Sequence, residues 1–135
     1  MDETWYSKIE STVISQVEYM LKARANAPYP NLNITSKNQE TIPASFPTMY
    51  IHELDPIERG QDLNNVTVNA ILHTMEIQVW TNEGQSKCKS ILTAAITELK
   101  RMRYNIIMFP TVKTNEGIAW GVFRARRTIG AGDKL

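Results

Sequence analysis

The strongest constraint on this chain is the order in which its hydrophobic residues change period. Two stretches carry apolar residues at helical spacing, and each is followed by a pair of strand-like runs. Over residues 3–25 the stripe is Trp5, Ile9, Val13, Val17, Met20 and Leu21. Over 85–103 it is Cys88, Ile91, Leu92, Ala95, Ile96, Leu99 and Met102. Residues three and four apart share one side of a helix, so each stripe predicts an amphipathic helix that must bury that side. Strand-like runs occupy 46–53, 66–81, 105–114 and 118–129. The order α-β-β-α-β-β predicts an α+β fold: one largely antiparallel or mixed sheet packed with two helices.

Local signals set the boundaries. Asp2 or Thr4 suits the N-cap of the first helix, Glu3 suits the positive end of its dipole, and Asn26 and Pro28 end it. Lys100, Arg101 and Arg103 suit the negative end of the second helix. Residues 26–45 and 54–65, rich in Pro, Asn and polar groups, read as long loops expected to be mobile until a partner orders them. In 66–81, Val66, Val68, Ala70 and Leu72 hold one parity, whereas Met75, Ile77 and Val79 hold the other. That slip predicts a bulge or bend near His73-Thr74. Pro47 and Pro110 interrupt their strands, Asn115-Glu116-Gly117 makes a turn, and 130–135 reads as a mobile tail.

A length of 135 residues predicts a single domain, 1–135. A chain of this size buries about two-thirds of the surface its unfolded form exposes, enough for a core without metal or disulfide staples. The apolar runs are too short to cross a bilayer, so no membrane partner is expected. Met1-Asp2-Glu3 lacks the basic, apolar start of a secretory signal, so synthesis and retention in a cytoplasm are expected. The single cysteine, Cys88, fits a reducing compartment and excludes an intramolecular disulfide.

Few residues are arranged for chemistry. The two histidines, His52 and His73, lack the spacing of metal ligands, and His52-Glu53 with Asp55 reads as ordinary strand and loop polarity. Cys88 lies on the apolar side of a helix, where a thiol behaves as a small hydrophobe. Ser86 and Ser90 sit in no nucleophile motif, and the glycines form no phosphate-binding loop. The expectation is a protein that is not an enzyme, with no catalytic residue, metal or cofactor.

Charge is the informative feature. Residues 40–83 hold seven acids against one base, whereas 98–135 hold eight bases against three acids. An acidic middle and a basic end on one chain suit contact between copies. The expected interface pairs Arg124, Arg126 and Arg127 of one copy with Glu53, Asp55, Glu58 and Asp62 of the next. The same acidic segment is a competing candidate to line a central hole. Basic residues interleaved with Trp120 and Phe123 also suggest a small nucleic-acid-binding module as an alternative. A near-neutral charge of +1 argues against it.

Three stretches resemble one family. They are Glu58-Arg59-Gly60-Gln61-Asp62-Leu63, the run Thr74-Met75-Glu76-Ile77-Gln78-Val79-Trp80-Thr81-Asn82 with the helix after it, and Arg124-Ala125-Arg126-Arg127-Thr128-Ile129-Gly130-Ala131. Together they are similar to the tail terminator (tail completion) proteins of long-tailed bacteriophages, a likeness spanning residues 45–132. The resemblance implies a structural virion protein, made in the bacterial host cytoplasm and found at the head–tail junction. It implies a homo-oligomeric ring, usually hexameric, on the head-proximal end of the tail tube. That ring ends tube polymerisation, joins tail to head connector, and lets DNA pass through its lumen without sequence-specific binding. Its implied partners are itself, the tail tube protein and the connector. A neck or head-completion protein of the same assembly is the related alternative.

Overall fold

In the computed structural model, which describes residues 5–36, 45–59 and 69–135, the first described residues are helical. A 3-10 turn, Trp5–Lys8, leads into α1 (Ile9–Glu18), and a π-helical turn, Tyr19–Ala23, follows. Then come β1 (Asn33–Thr35), β2 (Thr48–Glu53), β3 (Ile57–Arg59) and β4 (Ala70–Thr81). The chain continues through α2 (Gln85–Arg101), β5 (Asn105–Met108), β6 (Lys113–Asn115) and β7 (Ile118–Gly130). The caps expected of Asp2 and Thr4, and the start of the strand expected at 66–81, lie outside the described residues.

The fold is α+β, with both helices packed against one mixed sheet of seven strands among the described residues. Its spine is the antiparallel pair β4–β7, matched over twelve positions from Ala70 opposite Gly130 to Thr81 opposite Ala119. On the far side of β4 lie β2 and β3, end to end; on the far side of β7 lie β5 and β6. β1 adds to β2 in parallel.

Pleating explains which residues meet the helices. Ile71, His73, Met75, Ile77, Val79 and Thr81 of β4 are buried, as are Ala119, Phe123, Ala125, Arg127 and Ile129 of β7. Against them pack Ile9, Val13, Val17 and Leu21 from the first helical segment, and Cys88, Ile91, Leu92, Ala95 and Leu99 from α2. Truncating a buried ring such as Phe123 to alanine costs about 3–5 kcal/mol, because the transfer and cavity terms add. At Gly121 the Leu92 side chain of α2 packs close: a Cβ there would lie 2.8 Å from Leu92 Cδ1. The β6–β7 turn needs positive φ at both Glu116 (53°) and Gly117 (81°), the geometry of a two-residue hairpin.

Three expectations need correction. The bulge or bend near His73-Thr74 is absent; β4 alternates buried and half-buried residues along its described length. His73 takes a core position, so Ile71, Met75, Ile77 and Val79 share its parity, whereas Ala70 and Leu72 face the other way. The loop expected at 26–45 contains β1, and that expected at 54–65 contains β3. Each spans three residues, too short to carry a visible period, and each is recruited by the open edge of a longer strand. The strand expected at 105–114 is two strands, separated by Phe109–Val112 around Pro110, which has no N–H to donate.

The closing residues, expected to be loose, are tied to the sheet. Asp133 Oδ2 accepts from Gly130 N at 2.8 Å, and Lys134 O accepts from Arg127 Nη2 at 3.2 Å.

Candidate functional site

Polar groups gather in two places, one on each side of the sheet. On the helix side, His73 is wholly buried. Its Nε2 lies 2.7 Å from Glu53 Oε2, and its Nδ1 lies 2.8 Å from Tyr104 Oη. An ionised carboxylate only accepts, so Nε2–H donates to Glu53 and the Tyr104 hydroxyl donates to Nδ1. This satisfies a neutral imidazole completely. Burial lowers the His73 pKa, against the opposing pull of the Glu53 hydrogen bond and the charges of Glu53 and Glu10. Burial also drives the Tyr104 hydroxyl well above its ordinary range. Glu10 from α1 accepts from the Glu53 backbone N–H at 2.7 Å, so the chain of bonds joins helix to sheet.

Arg127 belongs to this buried set. It is 8 % exposed and stands opposite His73 in the β4–β7 register. Its Nη1 donates to Met102 O at 2.9 Å, the carbonyl at the end of α2. These groups hold elements together. Cys88 is buried too, and burial pushes its thiol up to about 11. Among the described residues, no three His, Cys, Asp or Glu side chains converge as metal ligands. His52 and Glu53 alternate to opposite sides of β2, which separates the pair that adjoins in sequence. Among the described residues, no helix is long and apolar enough to cross a membrane.

The other side of the sheet carries a transverse polar row. His52, Glu76 and Arg124 stand in register across β2, β4 and β7. Glu76 accepts from Arg124 Nε at 2.8 Å and lies 3.4 Å from His52 Nε2. Further along, Trp80 and Trp120 are cross-strand partners with rings stacked at 5.3 Å and 14°. Phe123, expected to interleave with the arginines, points to the opposite side and is buried in the core. A stacking platform mixing Phe123 with Arg124 and Arg126 is therefore not formed.

The predicted interface residues divide accordingly. Arg124 and Arg126 share the side of β7 away from the helices and are exposed. Arg127 is buried and bonded within the subunit, whereas Glu53 bonds His73 with its side chain still a third exposed. Asp55 is exposed and Glu58 half-buried, both near β3; Asp62 lies outside the described residues. Arg124 and Arg126 thus lie on the open face of β7, one strand in from β5, with Arg124 paired to Glu76, whereas Asp55 and Glu58 lie beyond β4, at the opposite edge of the sheet.

Sequence reasoning missed an apolar patch at the β5 edge. Ile107, Met108 and Phe109 are all exposed, Phe109 by 69 %. The signal was visible: Ile106-Ile107-Met108-Phe109 does not alternate, so no pleat could bury all four. The chain matches no protein-family model and no curated protein sequence.

Proposed function

We propose that this chain is a structural subunit that closes head to tail into a ring on the head-proximal end of a phage tail tube. There it would end tube growth and receive the head connector. The observation that supports self-assembly most directly is the separation of charge across one sheet. Arg124 and Arg126 lie on β7 beside one edge strand, with Arg103 just before it, whereas Asp55 and Glu58 lie at the other edge. A contact between two different edges is heterologous, and repetition of a heterologous contact closes a ring when its rotation divides a full turn. The tube and connector as partners come from the resemblance to tail terminators.

Charge selects the orientation but does not hold such a ring. Exposed ion pairs contribute about 0–1 kcal/mol each, so apolar side chains must carry most of the contact. The test is native mass by light scattering, on the free protein and after mixing with tail tubes. A mass of several copies that falls as salt rises supports the ring. A single-copy mass under both conditions, with no binding to tube ends, overturns it.

A further inference from the structure

The edge strand β5 ends the sheet in an unusual way. Ile106 pairs with Ala125 and Met108 with Arg124, so a single step on β7 faces two on β5 and Ile107 is the extra, bulged residue. Pro110 then removes a backbone donor. Among the described residues β5 pairs only with β7, which leaves its outer edge open. A straight, open, apolar edge invites another strand; a bulged edge followed by proline resists it. Yet the side chains there are apolar and outward: Ile107 is 45 % exposed, Met108 38 % and Phe109 69 %. Beside them, between α2 and the 109–112 segment, runs a groove of about 340 Å³ lined by Lys89, Thr93, Ile96, Phe109, Pro110 and Val112.

The opposite edge carries the complement. Ile57 of β3 is 50 % exposed, with Asp55 and Glu58 on either side in sequence. Lys89 in the groove, Arg103 before β5 and Arg126 on the neighbouring strand are all exposed. One edge is thus apolar with a basic surround; the other is apolar with two acids, Asp55 and Glu58, against one base, Arg59. Because the two lie on opposite sides of the β4–β7 spine, one subunit presents both without self-contact.

Building on the ring reading above, we infer that Phe109 and its groove on β5 receive the Ile57 edge of a second copy of this chain, side chain to side chain and without strand addition. The bulge at Ile107 and the proline at 110 keep the contact from propagating as a continuous sheet. Asp55 sets the polarity by facing the basic surround, so two β5 edges or two β3 edges repel each other.

The experiment uses the full chain with single cysteines at the two edges. Ile57→Cys and Phe109→Cys are made separately and together; Cys88 stays, because it is buried. Oxidation of the mixed single variants should give covalent dimers containing one chain of each. Neither variant alone should cross-link, and the double variant should give a ladder of oligomers. In parallel, Phe109→Ser should raise the assembly midpoint concentration by about tenfold or more, the loss typical of an interface anchor. Tyr19→Ser, another exposed aromatic, on the first helical segment, should leave it unchanged. Cross-linking of either single variant with itself overturns the inference, as does a wild-type assembly of full mass in which the mixed pair does not cross-link. Those outcomes leave the ring reading standing. A wild-type chain that stays a single copy, alone and with tail tubes, overturns both.

Discussion

His73 and Arg127 face each other across β4 and β7, both on the helix-covered side of the sheet. Burial favours the neutral imidazole, which bonds Glu53 and Tyr104, whereas the guanidinium donates to the carbonyl of Met102. A second positive charge at His73 would be buried opposite Arg127, and only the Glu53 and Glu10 carboxylates would oppose that cost.

This arrangement makes stability fall in acid. The His73 pKa is lowered in the folded state, so the unfolded chain takes up the proton first. No contribution arises above the unfolded value of about 6.5; stability declines as pH falls below it and levels off beneath the folded pKa. Denaturant melts of wild type and His73→Gln between pH 7.5 and 5 should differ in slope, with the variant flatter. Parallel slopes would remove His73 as the cause.

Removing the Arg127 head group leaves the Met102 and Lys134 carbonyls without their donor. Hydrogen bonds to a charged group contribute about 1.5–3 kcal/mol, so Arg127→Met should lower the melting midpoint clearly. Arg126→Glu, on the exposed side of the same strand, should leave the melt nearly unchanged and weaken assembly. Equal melting loss in both variants would contradict the inward placement of Arg127.

Arg124 is a poorer probe of assembly than its exposure suggests. Arg124→Glu would set two carboxylates against each other at the Glu76 pair, a local cost separate from any interface. The double variant Glu76→Arg with Arg124→Glu restores opposite charges. It should recover the single variant's lost stability, measured by thermal melt.

A methyl group at position 121 must displace Leu92 Cδ1. Overpacking of this kind costs about 1–3 kcal/mol. Gly121→Ala should therefore be destabilised, and Leu92→Val in the same chain should recover part of the loss. A Gly121→Ala protein as stable as wild type would show that the Leu92 side chain turns aside at little cost.

Cys88 should resist labelling in the folded state. Its thiol is buried and its pKa is about 11, so little thiolate exists at pH 8. Maleimide uptake should track unfolding across a denaturant series. Rapid uptake without denaturant would place the thiol at the surface.

Both helices and the runs at 46–53 and 118–129, with the described part of 66–81, were legible from helical stripes and strand-forming residues; which side of 66–81 is buried was not. Charge segregation was legible too, since it needs only composition along the chain. β1 and β3 were not, because three residues carry no period and their strand geometry is imposed by the neighbour they pair with. The apparent slip at His73 misled for a related reason: a polar side chain occupied a core position whose partners, Tyr104 and Glu53, lie 31 and 20 residues away. Sequence alone determined that two amphipathic helices must cover a sheet and that acids and bases are kept apart. Only the tertiary structure decided which arginine is spent inside the subunit, that Arg124 and Arg126 lie on β7 while Asp55 and Glu58 lie beyond β4, and that Ile107, Met108 and Phe109 are left facing outward. Those outcomes depend on which strands become neighbours, and strand pairing is set by contacts between residues far apart in the chain.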